Sequence, residues 1–382
     1  MRYHTSHKGA AYVPGRRGVV IAALMAALFM LSGHVLAGAA RAVNDNQSPP
    51  YMGVWEPMYQ GTGATDAFGK WLNRRAMFPV VTQYSMDGGG WPVIDRWLKI
   101  WLDPQWGKWV AEVPGRRAVI VLPIPTDSPS LEKGAKGKYN EVAAGLATYF
   151  VANNLGNSII CMGLINTPNT WDAAKPSDVA NFVLYWRQIV TAMRAVPGGE
   201  KLQFDWVGMN RKTSFPIESA YPGDAYVDYV GMILYDQCLD KSIYPYPANA
   251  TDDEKLERQK KAWSQYYHPA SENGLDAWVG VAKAHGKPFS IPLWCLYSDH
   301  YADGTLSTGG DNTYFIQQMY SFIQDPANDV YFASYMDIYE YCTKISPADG
   351  YTSNYPKSVV LFQQLFGLPA SATQAVNPKE KP

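Results

Sequence analysis

The chain has 382 residues, of which 47% are hydrophobic, 14% aromatic and only 18% charged. That apolar content at this length sustains a full-sized buried core and excludes a disordered or collagen-like chain. Arg2, Lys8, Arg16, Arg17 and Arg41 are the only Lys, Arg, Asp or Glu in the first 42 residues. The remainder therefore holds 28 basic and 34 acidic residues, so the overall net charge of -1 becomes -6. No long basic stripe remains there, which argues against nucleic acid as a partner. With 13 Trp and 26 Tyr, the composition suits a neutral, bulky ligand.

From the N-terminus, Arg16-Arg17 precede the apolar run from Gly18 to Ser32, about fifteen residues long, the length of a signal-peptide core. Ala40-Arg41-Ala42 then supplies an A-x-A match, so residues 1–42 read as an export signal with Val43 as the first mature residue. The rival reading is an uncleaved N-terminal anchor, in which case the chain also meets a membrane; Gly33 and His34 interrupt that longer apolar version. Both readings place the folded part outside the cytoplasm, in the periplasm or secreted.

Strand signals follow at Tyr51–Glu56, Val80–Ser85, Ala118–Ile124, Ser158–Ile165, Leu202–Val207, Val227–Asp236, Pro288–Trp294 and Val330–Asp337. Most are nearly continuous apolar runs, as expected of parallel strands covered on both faces. Helical patterns lie between them, clearest at Tyr139–Leu155, Ser177–Ala195, Asp252–Ala284 and Asn312–Gln324. Eight strand–helix alternations in about 320 residues are the sequence form of a (β/α)8 TIM barrel of α/β class, here one domain over residues 43–368. The Pro/Ala/Lys-rich residues 369–382 read as a mobile tail.

A barrel of this kind carries its site at the C-terminal ends of the strands. The residues falling there are dominated by aromatic rings, among them Trp55, Trp206, Tyr235 and Trp294, with Trp171 just downstream of the fourth strand. Rings that stack on pyranose faces, with Asn166, Asp236 and Asp337 as hydroxyl partners, would make a glycan-binding cleft. Trp97 and Trp101, four apart on a helical stretch, read instead as core packing. Six His and no C-x-x-C pair give no metal site.

The segments Phe182 to Arg194 (FVLYWRQIVTAMR), Phe204-Asp-Trp206 and Tyr221 to Tyr229 (YPGDAYVDY) resemble glycoside hydrolase family 26, the β-mannanase-type barrels. Lys287-Pro288 leading into Trp294, and Gly309 to Met319 (GGDNTYFIQQM), are similar to that family as well. The resemblance covers essentially the whole mature chain. It implies a β-linked polysaccharide or oligosaccharide partner and neither metal nor organic cofactor. It also implies a retaining mechanism: one glutamate on strand four is acid/base and one on strand seven is nucleophile, about 5 Å apart.

Here the two glutamate positions read Ile165 and Leu293, and neither Ser158 to Asn169 nor Lys287 to Tyr297 contains any Glu or Asp. Ile and Leu transfer no protons and attack no carbon, so the family chemistry is absent at its usual positions. Three readings follow. One is a non-catalytic glycan-binding protein. A second is an active endo-β-glycosidase, an O-glycosyl hydrolase using the replacement carboxylates Glu56, Asp236, Asp337 or Glu340. The third is a structural protein without a glycan ligand. Finally, Cys238 and Cys295 each lie just beyond neighbouring parallel strands, a separation that suits a disulfide across the mouth; Cys342 is the rival partner for Cys295.

Overall fold

The computed structural model describes residues 49–56, 60–82, 90–162, 176–210, 213, 215–270, 273–298, 307–339, 342–347 and 351–368. The export segment and the tail lie outside them, as do Ile165, Asn166, Trp171 and Glu340. Eight strands are present: β1 (Tyr51–Trp55), β2 (Phe78–Thr82), β3 (Val119–Leu122), β4 (Ile159–Met162), β5 (Gln203–Met209), β6 (Tyr229–Tyr235), β7 (Phe289–Cys295) and β8 (Val330–Met336). Each pairs in parallel with the next and β8 pairs with β1, which closes a (β/α)8 barrel.

Among the described residues ten α-helices clothe it: α1 (Gly61–Trp71), α2 (Gly90–Trp101), α3 (Pro104–Ala111), α4 (Ser128–Ala135) and α5 (Asn140–Ala152), then α6 (Pro176–Arg194), α7 (Asp252–Ala262), α8 (Leu275–Ala284), α9 (Thr313–Gln324) and α10 (Pro356–Phe366). Their starts are legible chemistry. Asp103 and Asp127 cap α3 and α4 just ahead of Pro, and Thr251 with Glu254 forms a capping box on α7. The stretch Asp252–Ala284 is not one helix: α7 runs into a π-turn over Trp263–Tyr267, and α8 begins only at Leu275. Pro269 cannot continue the helix, and Asn273 sits in the left-handed region at φ 57°. Trp97 and Trp101 stack on each other at 5.9 Å and are half-buried; Trp101 packs against the core alongside the buried Trp91, Ile94 and Leu98 of α2.

The barrel interior is layered. At the N-terminal end, Tyr51, Phe78, Tyr229, Tyr331 and Phe332 form an aromatic plug, with Phe78 and Phe332 stacked at 5.0 Å. Above it comes a layer of small and polar groups. The Asp205 carboxylate on β5 accepts from Ser290 Oγ on β7 at 2.6 Å and from Cys161 Sγ on β4 at 3.5 Å. The Asp205–Ser290 bond reaches past β6, which is possible because β6 carries Gly231 there. A Cβ on Gly231 would stand 2.1 Å from Ser290 Oγ and 2.9 Å from Asp205 Oδ1. Gly231→Ala should therefore lower stability by about 1–3 kcal/mol through overpacking. Urea unfolding checks this, and an unchanged midpoint would contradict the layer as described.

Candidate functional site

Which side chains reach the mouth follows from strand alternation. On β5, Asp205 faces the lumen, while a Cβ on Gly208 would strike Trp278 of α8, so the even positions face the helices. Gly231 fixes the same parity on β6, sending Ile233 and Tyr235 inward. On β7 the register jumps: Gly231 pairs with Ser290, but Ile233 pairs with Leu293. One extra residue is accommodated in β7, and the bulge returns Leu293 to the lumen face. On β8, Ser334 abuts the Cα of Gly53, so Met336 and its partner Trp55 also point inward.

Among the described residues, the lumen-facing ends of β1 and β5 to β8 are consequently Trp55, Met209, Ile233, Leu293 and Met336. All five are apolar and none is more than 7% exposed. The position that the family resemblance gives to a nucleophile is thus buried in an apolar layer contributed by these five strands. Above it, Tyr235 and Tyr297 are half-buried with ring centroids 5.6 Å apart.

Two tryptophans expected to wall the cleft face the other way. Trp206 is fully buried 5.1 Å from Trp278 and 5.2 Å from Tyr221. Trp294 is fully buried among Tyr335, Phe362 and Phe366, beneath α10. Both stand at helix-facing parity, one residue away from lumen-facing neighbours. Their large faces seal the barrel to its helix layer and are not offered to a ligand.

The acidic candidates are equally committed. Asp236 leaves β6 toward the helices, where Oδ1 accepts from Tyr267 at 3.0 Å and Oδ2 from Asn312 at 2.9 Å. Asn312 in turn caps α9 through Phe315 N, so Asp236 clasps the β6 loop to that helix. Burial pushes its carboxyl up to about 6, against the pull of those donors. Asp337, fully buried, accepts from Ile345 N at 2.6 Å, Ser346 N at 2.9 Å, Ser346 Oγ and Lys344 Nζ at 3.2 Å. It anchors the loop after β8. Glu56 is 3% exposed, with Lys344 Nζ at 4.0 Å.

The expected Cys238–Cys295 bridge is not formed in the structure, where none of the four cysteines is disulfide-bonded. Cys295 sits opposite Tyr235 in the β6–β7 ladder. Cys238 instead gives its N–H to Ser307 O at 3.1 Å, next to an antiparallel bridge between Gln237 and Thr308. That pairing draws Cys238 toward the segment entering α9. Burial pushes its thiol up to about 11 and that of Cys295 well above the usual range, so both are protonated. Among the described residues, no group of three or more His, Cys, Asp or Glu could hold a metal ion.

Sequence reasoning missed three features. Asp205 was visible as a lone acid within an apolar strand run, Phe204-Asp-Trp206, but nothing local gave its partners. Lys344 and the aromatic pair Tyr339–Tyr351 lie in the loop after β8, where no periodicity marks them.

No protein-family model matches the sequence, and no curated protein matches it. The fold is shared with solved structures. The YdhT protein from Bacillus subtilis aligns with a TM-score of 0.52 at 12% identity, over 83% of this chain and 86% of that one. The Bacillus subtilis mannanase man26 gives 0.51 at 12% identity, over 81% and 83% of the two chains. A double mutant of the Cellulomonas fimi endo-beta-1,4-mannanase gives 0.52 at 16%, over 84% and 72%. At such identities the likeness establishes the (β/α)8 barrel fold alone and leaves chemistry to the residues of the site.

Beneath the floor, Asp205 gives a measurable signature. Burial pushes its carboxyl up to about 7, opposed by the bonds from Ser290 and Cys161, and Oδ1 has no hydrogen-bond partner among the described residues. An unfolded Asp loses its proton near pH 4, so between about pH 4 and 7 the folded state holds the proton more tightly. This group's contribution is fully present below that window and is lost as pH rises through it, on the order of 4 kcal/mol. Thermal melts from pH 4 to 8 should show Asp205→Asn with a flatter profile and a relative gain at pH 8. Parallel profiles for the two proteins would contradict the buried, proton-holding carboxyl.

Proposed function

We propose that this chain is an exported, family-26-like barrel that recognises β-linked polysaccharide at its C-terminal mouth without hydrolysing it. The observation that carries the reading is the apolar floor. Leu293 occupies the nucleophile position and shares its layer with Trp55, Met209, Ile233 and Met336, none more than 7% exposed. Retaining hydrolysis needs one carboxyl to protonate the leaving oxygen and another to form the glycosyl ester, both at the scissile bond. No side chain in that floor does either.

The replacement carboxylates among the described residues, Asp236, Asp337 and Glu56, count against an active enzyme. Asp236 turns toward the helices and Asp337 is saturated by four donors. Glu56 is almost wholly buried beside Lys344. Freeing Asp337 would break a buried charge pair, a cost of roughly 3–5 kcal/mol that turnover would have to meet in every cycle. The shared fold with proteins described as mannanases supports β-glycan as the ligand class. The N-terminal apolar run and its A-x-A site support an extracytoplasmic location.

The test pairs activity with binding. Incubated with β-mannan, β-glucan and xylan, the protein should release no reducing sugar above background. In native gels cast with the same polysaccharides, it should be retarded by at least one. Turnover within a few hundredfold of an intact family-26 mannanase would overturn the reading, and so would unretarded migration in every gel.

A further inference from the structure

We infer that the outer face of α2, through Trp97 and Ile100, rests in the interfacial layer of a phospholipid bilayer, which turns the barrel mouth toward the medium. Helix α2 carries two apolar stripes. Trp91, Ile94 and Leu98, at i, i+3 and i+7, are buried. Val93, Trp97, Ile100 and Trp101, at i, i+4, i+7 and i+8, form the second stripe. Trp101 also packs against the core, Val93 and Trp97 are half-buried, and Ile100 is 52% exposed. The outer helices of a barrel ordinarily show water a charged side, as α7 does between Asp252 and Lys261. Indole and aliphatic groups on an outer face, beside Arg96 and Lys99, are instead the composition of a helix that lies in a membrane interface.

The place of the stripe in the fold names the bilayer as its occupant. Tyr149, in the last turn of α5, donates its hydroxyl to the carbonyls of Lys99 at 3.0 Å and Leu102 at 2.7 Å. That helix leads into the start of β4, so the last turn of α2 lies at the N-terminal end of the strands. The described chain also begins at that end, at Pro49 just ahead of β1, and residues 1–48 join it there. Both readings of the run from Gly18 to Ser32, export signal or anchor, bring it into a membrane. Charge agrees. Lys99 is paired with Asp95 at 2.7 Å and Asp103 is taken up in capping α3, whereas Arg96 can extend to a headgroup phosphate. A sugar fits the patch less well. Trp97 stacks on Trp101, and the Arg96 guanidinium lies 5.7 Å from its ring, so the pair presents edges where a pyranose needs an open face.

The measurement places a nitrobenzoxadiazole label on the full-length protein as Ile100→Cys or, as a control on α10, at the 55% exposed Val360 as Val360→Cys. The parent, labelled in parallel, accounts for the native thiols. With vesicles of phosphatidylcholine and phosphatidylglycerol, emission from position 100 should rise at least twofold and be quenched by lipids brominated high in the acyl chain. Position 360 should not respond. This readout is the same whether or not residues 1–42 are retained. Unchanged emission at position 100, or an equal response at both positions, overturns the inference. So does a response at position 100 to mannohexaose without lipid, which would assign the face to a glycan. Sugar release and gel retardation test the proposed function separately.

Discussion

Alternation along closed parallel strands is the constraint from which the rest of this structure follows. In a barrel without edges, each strand residue faces either the lumen or the helices, and moving one position exchanges the two. The bulge in β7 is the decisive instance. Without its extra residue, Pro292 would share the lumen face with Ile233 and Leu293 would turn outward; with it, Leu293 completes the floor and Trp294 packs under α10. The same rule sends Trp206 against α8 and Asp205 into the interior.

Once the floor is apolar, the surrounding polar groups have different work. A carboxylate among Leu, Ile and Met would be costly to ionise, and this barrel keeps its acids elsewhere. Asp236 ties the β6 loop to α9, and Asp337 ties down the loop after β8. The buried Asp205 links β4, β5 and β7 beneath the floor, across the space that Gly231 leaves open. Residues that would suit acid–base chemistry by type are thus engaged as clasps.

The barrel was legible because its signal is regional. Eight apolar runs separated by helical patterns survive small errors in where each run begins, and β2 and β6 do begin two residues from their predicted starts. The site was less legible because its signal is a single parity. Trp206 and Trp294 fall at strand ends as a cleft residue would, but sequence alone does not reveal which face a strand end presents, least of all beside a bulge. The Cys238–Cys295 bridge failed for a related reason. Adjacent strand ends predict a suitable separation, but the chain beyond Asp236 is redirected by backbone pairing with Ser307 and Thr308. Tyr339 and Lys344 lie in a loop whose order comes from Asp337 and Thr343, tertiary bonds without a local pattern.

The central claim is that the mouth recognises a β-glycan that the protein cannot cut, and a crystal soaked with mannohexaose or cellohexaose tests it most directly. The account predicts density for an uncleaved oligosaccharide at the C-terminal face, lying over the floor of Trp55, Met209, Ile233, Leu293 and Met336 without a covalent link to any carboxylate. Shortened sugars, a glycosyl ester on Glu56, Asp236 or Asp337, or a mouth that stays empty at saturating sugar would contradict it.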